Sequence, residues 1–210
     1  MDDRHFFFSL LACLTMACSS GYYSYTIVAG RTKPSRSSYW IWTFLSILIG
    51  ASYVVSGAEN WQFIAVNAGW SLIIALLSLR YGEGDSLNRH DKIAVSIALA
   101  SLPVWAALAC ILPKAEAAFP MFFVQMVADA VACIPVFEKA WNRPENEDRR
   151  AWIVSVIAVL INTFAVPAWT AQDVILNGWI GGSALAVTLM LCLRPQSTTS
   201  LIPSAAALET

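Results

Sequence analysis

Seven stretches of the chain are almost wholly apolar, at about residues 6–29, 39–58, 61–81, 93–112, 117–138, 151–170 and 172–193, and the polar residues gather in the intervals between them. Each stretch approaches the roughly 20 residues that a helix needs to cross a hydrocarbon core of about 30 Å, where every backbone polar group must be bonded within its own segment. The pattern predicts an all-α integral membrane protein with seven transmembrane helices. Gly30-Arg31 closes the first stretch, Tyr81-Gly82 the third and Arg194-Pro195 the last; only Glu59-Asn60 separates the second from the third, which predicts a tight antiparallel hairpin. The opening run could pass for a signal-peptide core. Met1-Asp2-Asp3-Arg4 is a poor basic leader, however, and the apolar stretch continues past Tyr22, Tyr23 and Tyr25, so it reads as a retained helix. The segment 196–210, rich in Ser, Thr and Ala, is expected to be a disordered cytoplasmic tail.

Composition agrees with the pattern: 58% of residues are hydrophobic and 13% charged, with a mean hydropathy of +0.60. The lipid bilayer is therefore the expected partner. A net charge of -1 leaves no basic face for nucleic acid. Position carries more information than total charge. With seven crossings, the loops after the first, third and fifth helices and the C-terminal segment lie on one side; they hold Arg31, Lys33, Arg36, Arg80, Arg89, Lys92, Lys139, Arg143, Arg149, Arg150 and Arg194. The other side holds only Arg4 and Lys114. Basic loops stay in the cytoplasm, so the N-terminus is expected outside and the C-terminus inside, in a cell (inner or plasma) membrane.

Shifting the sequence by 110 residues superposes the first three stretches on the last three, and leaves the fourth as an unpaired linker. Lys33-Pro34 falls on Arg143-Pro144, Trp42 on Trp152 and Asn67 on Asn177, while Thr15 and Ser19 fall on Gln125 and Asp129. The expected organisation is a 3+1+3 parallel repeat, with a first three-helix repeat over 1–82, a linker helix over 83–116 and a second repeat over 117–195. With Pro135 near the cytoplasmic end of the fifth helix, the paired asparagines, and the stretch Asp129-x5-Pro135-x3-Lys139-x4-Pro144-Glu145-x-Glu147-x4-Trp152, the chain resembles the SWEET sugar transporters and the wider PQ-loop/MtN3-like superfamily, bacterial PQ-loop-like membrane proteins in particular. Val136 stands where the family has Gln after the proline, and Tyr25-Thr26 stands where the first repeat would carry Pro-Gln. The resemblance implies alternate opening of two three-helix bundles around a midplane site, with Asn67 and Asn177 matching pocket asparagines and Pro135 taking part in gating.

Asn67 and Asn177 are amides inside apolar helices, suited either to a hydroxyl-rich ligand or to bonding between helices as structural glue. Asp129 is the acidic residue deepest within a stretch, with Gln125 one turn earlier on the same face; it reads as a proton-coupling or substrate group, or as a structural acid. Trp70 and Trp179 lie within a turn of the paired asparagines, and Ser52 and Asn162 are matched by the same offset; all four are candidate pocket residues. Most other tryptophans sit near the ends of stretches, as interfacial anchors do. The run 145–150 reads as a polar turn leading into the sixth helix.

No metal site is expected, because Cys13, Cys18, Cys110, Cys133 and Cys192 form no C-x-x-C pair and have no neighbouring histidine. An enzyme is disfavoured, since His5 and His90 both lie outside the spans, and no cofactor is implied; a retinal-type photoreceptor would need a lysine within 172–193. The expected function is a membrane transporter-like protein moving a small polar solute, a sugar or similar, by alternating access. The alternative is a non-transporting receptor or accessory membrane protein of the same fold. Two fused repeats suffice for one pathway, and a homo-oligomer is left open.

Overall fold

In the computed structural model, which describes residues 3–58, 60–84 and 87–194, the chain is all-helical: α1 (Asp3–Val28), α2 (Arg36–Val55), α3 (Trp61–Tyr81), α4 (Arg89–Ala109), α5 (Lys114–Asn142), a 3₁₀ turn (Pro144–Asn146), α6 (Arg149–Thr163) and α7 (Ala171–Leu193). The expected tail, 196–210, lies outside the described residues, as do Glu59 and Pro195. Side chains fix several helix starts. Asn88 and Asp91 form a reciprocal capping box on α4, Thr170 and Asp173 form another on α7, and Asp148 caps α6 by accepting from two backbone N–H groups.

Six of the seven helices are long and apolar enough to cross a membrane. The exception is α6. The apolar window 151–170 yields a helix of only 15 residues, about 22 Å long at the standard rise. Pro167 accounts for the early stop: it has no N–H to donate, and it pushes Val166 out of the helical region. The chain turns at Phe164 and Ala165, whose N–H groups close back on Ile161 and Asn162.

The surface is inverted relative to that of a water-soluble bundle. Leu14, Leu76, Leu160 and Leu189 stand outward and are each more than half exposed, whereas Ser9, Ser19, Ser52, Gln125 and Asn162 are almost fully buried. Such a surface suits a hydrocarbon solvent, in which the polar groups must find partners among themselves.

The helices fall into two triplets. α3 packs against both α1 and α2, and α7 packs against both α5 and α6. Between the triplets, α1 lies on α6 and α2 lies on α5, while α4 packs along α5 and has a lesser contact with α2. The α4–α5 contact is close because Ala94, Ala98, Ala128 and Ala132 bring two backbones together without bulky side chains.

The loops after α1, α3 and α5 meet at one end and are stitched by backbone bonds: Glu83 N–H donates to the Pro34 carbonyl at 2.9 Å, Arg36 N–H to Glu83 at 3.0 Å and Lys33 N–H to Asn146 at 3.2 Å. The three basic loops assigned to one side from their charge thus share one end of the bundle. Gly82 sits inside this junction, where an added Cβ would come within 2.5 Å of the Ser78 carbonyl oxygen and 2.9 Å of that of Pro34. Gly69, in contrast, faces open space. Gly82→Ala should therefore lower the thermal unfolding temperature in detergent, by the equivalent of about 1–3 kcal/mol, and Gly69→Ala should leave it unchanged or raised, since alanine is the better helix former.

Candidate functional site

A cavity of about 130 Å³ lies between the two triplets, walled by α1, α2, α3, α5, α6 and α7 but by no residue of α4. Helix direction places it between mid-bundle and the basic-loop end. The walls from α1 and α6 are tied by hydroxyls: Ser19 donates to the Ala151 carbonyl at 2.6 Å and lies 2.8 Å from Ser155 Oγ. On the opposite wall, Asp129 projects from the middle of α5, and the Trp179 indole N–H donates to its Oδ2 at 2.6 Å. The Cys133 thiol, one turn along, reaches the same oxygen at 4.0 Å. A side lobe of about 30 Å³ extends from Asp129 and Trp179 to Asn67, Met126 and Leu176.

The sequence-selected residues separate into two groups. Asn67, Trp70, Asp129 and Trp179 all line the cavity, and no hydrogen bond to the Asn67 amide is formed among the described residues. Asn177, Asn162, Ser52 and Gln125 line neither the cavity nor its side lobe. They are consumed in packing. Ser9 donates to Asn60 at 3.3 Å, Asn60 to Asn162 at 3.0 Å, Asn162 to Asn177 at 2.7 Å and Asn177 to the Asp173 carbonyl at 2.9 Å. This chain of amides ties α1, α3, α6 and α7 beyond the cavity, toward the end opposite the basic loops. There Tyr53 donates to the Asp173 carboxylate. Ser52 donates to Gln125 at 3.0 Å, joining α2 to α5. Asn67 and Asn177, one repeat offset apart, thus have different surroundings.

The basic-loop end of the cavity is closed by groups that the sequence alone did not assign to a site. Lys139, 5% exposed, donates to Glu147 Oε1 at 2.8 Å and to the Lys33 carbonyl, and lies 3.5 Å from Glu83. Glu83 also pairs with Arg143 at 3.2 Å. Glu147, 4% exposed, accepts from Tyr23 at 2.9 Å and from the Trp152 indole at 3.1 Å. Tyr23 and Trp152 are cavity walls, as are Tyr39 and Trp42, which stack edge to face at 5.2 Å between ring centres. The run 145–150, read as a polar turn, is therefore only partly one: Asp148 caps α6, but Glu147 turns inward to anchor the floor of the cavity. The available signal was that Lys139 and Glu147 carry opposite charges on either side of the short Pro144 turn.

Pro135 stands between Asp129 and Lys139 inside α5. Having no N–H, it leaves the Val131 carbonyl without its helical donor, so α5 bends more easily here, as it does at Pro120 near its start, than in its unbroken turns.

No known protein family, characterised protein or solved structure matches this chain. The likeness to PQ-loop proteins thus rests on the chain's own residues.

Replacing Asn177 by Ala removes the acceptor for the buried Asn162 amide, at a cost of about 1–3 kcal/mol. Replacing Asn67 by Ala breaks no hydrogen bond within the bundle. Thermal unfolding in detergent should therefore show a clear loss for Asn177→Ala and little change for Asn67→Ala; equal losses would place both in packing.

Proposed function

We propose that this chain is a transporter-like membrane protein, a relative of the PQ-loop and SWEET type, that moves a small polar solute by alternating access around the cavity between its two triplets. The carrying observation is the position of that cavity. It sits on the seam between triplets that share one packing order, with the third helix touching the first and second in each, and it has a polar closure at either end.

The same packing order supports the 3+1+3 parallel duplication. An offset of 110 residues exchanges α1 with α5, α2 with α6 and α3 with α7. It therefore exchanges the α1–α6 contact with the α5–α2 contact, as an axis along the membrane normal requires. α4, outside the seam, is the linker.

Seven crossings, with the N-terminus outside and the C-terminus cytoplasmic, fit this reading. The short α6 is extended by a non-helical segment in which Ala165 and Val166 are buried. Irregular backbone is tolerated at membrane depth where protein covers it, and local thinning of the bilayer accommodates a helix of this length.

In this scheme Lys139, Glu147 and Glu83 latch the cytoplasmic end, and the amide chain with the Tyr53–Asp173 pair holds the outer end. Opening one side means breaking one set while keeping the other, and Pro135 lies where α5 would flex.

The test needs no known substrate. In a chain whose native cysteines are replaced by alanine, Ser46→Cys places a thiol in the cavity wall. Adding Lys139→Ala should make that thiol reactive to a membrane-impermeant maleimide applied from the basic-loop face, and adding Asn162→Ala should do so from the opposite face. Failure to label from either face in both backgrounds would leave a sealed bundle, and would favour a receptor or accessory role. Reporter tags at the two termini should appear on opposite faces of the membrane; appearance on the same face would mean that α6 does not cross.

A further inference from the structure

We infer that the cavity takes a small organic cation, an ammonium-bearing solute, and not a neutral polyol. This deepens the solute-site reading above and rests on it. The first observation is the pairing of Asp129. Both of its donors, the Trp179 indole and the Cys133 thiol, reach the same oxygen, Oδ2. Oδ1 accepts no hydrogen bond among the described residues. A carboxylate held inside a lipid-embedded bundle by one indole N–H is poorly compensated for the water it has lost.

The second observation is what surrounds that carboxylate. No lysine, arginine or histidine lines the cavity among the described residues. The nearest buried cation in the network below, Lys139, is already committed to Glu147, Glu83 and the Lys33 carbonyl. A second carboxylate, Glu147, stands behind Tyr23 and Trp152 at the floor. The charged side chains on and just beneath the walls thus leave Asp129 without a counter-ion.

The third observation is the aromatic content. Trp42, Trp70, Trp152 and Trp179 come from four different helices to the same cavity. Indole faces attract cations, most strongly where water is excluded, and four indoles sharing one cavity with a carboxylate are chemistry that suits an ammonium group. Of the wall hydroxyls, Ser19 and Ser155 are bonded to each other and Ser183 to the Ile180 carbonyl, while those of Ser20, Ser46 and Ser71 form no hydrogen bond among the described residues and can serve the polar end of a ligand. The Asn67 amide remains available to fix the polar end of the ligand.

Thermal unfolding of the purified full chain in detergent tests this. The probes are choline chloride and n-butylammonium chloride, set against sodium chloride at equal ionic strength, 3,3-dimethylbutan-1-ol as the uncharged shape analogue of choline, and glucose. At least one ammonium probe should raise the unfolding temperature while the salt, the alcohol and glucose do not, because only a ligand of the folded state stabilises it. Asp129→Asn keeps the shape and an acceptor for Trp179, and should weaken that binding by about tenfold or more without lowering the unfolding temperature of the ligand-free protein. Stabilisation by glucose that survives Asp129→Asn but is lost in Asn67→Ala would overturn the cation inference and keep a solute site. No response to any probe would overturn both. Ammonium binding that depends on Asp129, with no uptake of the same labelled ammonium ion into proteoliposomes, would keep the inference and overturn transport.

Discussion

A lysine ammonium withdrawn from water at the end of α5 sets the terms for one whole end of the bundle. Burying such a charge costs several kcal/mol, and the cost is recovered only if partners arrive in good geometry from elsewhere in the chain. For Lys139 they come from three loops: the Lys33 carbonyl after α1, Glu83 after α3 and Glu147 after α5. Glu147 in turn needs donors, and receives them from Tyr23 on α1 and Trp152 on α6. The ammonium thus fixes the relative positions of both triplets. Removing one partner strands a buried charge, whereas separating all of them together into water leaves none stranded.

The helices were legible because lipid imposes a simple rule. Long apolar runs had to be helical, and their charge asymmetry placed the loops after α1, α3 and α5 on one side, where the structure stitches them together. The end of α6 was harder to see, because apolar content continues past Thr163 and only Pro167 marks the stop. Asp129 and Trp179 were visible separately, as a rare intramembrane acid and as an indole near an asparagine; their mutual bond required knowing how α5 and α7 rotate against each other. Asn67 and Asn177 show the limit most clearly. Sequence offset makes them equivalents, but Asn162, itself bonded by Asn60, donates to Asn177, and no such hydrogen bond reaches Asn67 among the described residues. Lys139 and Glu147 escaped notice because charged residues at a helix end ordinarily lie in solvent, and only the convergence of three loops removes the water.

The two sides of the cavity differ in a way the proposed duplication makes instructive. Ser19 and Asp129 are related by the same offset and sit at similar depth in α1 and α5. Ser19 reaches across the seam to the Ala151 carbonyl and Ser155, holding α1 to α6 by side-chain bonds at the level of the cavity. Asp129 instead turns to Trp179 within its own triplet, and the bond that joins α5 to α2, between Gln125 and Ser52, lies one turn farther from the basic loops. At the level of the cavity the α2–α5 side lacks a hydroxyl–carbonyl bond of this kind among the described residues, and the side lobe opens there. A short hydroxyl–carbonyl bond must be broken before α1 moves against α6, whereas no bond of that kind must break at this level for α5 to move against α2. α5 is also the helix that carries the unbonded carboxylate oxygen, a proline that leaves the Val131 carbonyl without its helical donor, and the lysine of the loop junction. On the proposed reading, a cation arriving at Asp129 would act on the same helix whose far end Lys139 holds, coupling ligand and latch through one segment of backbone, 129–139, with Pro135 between them.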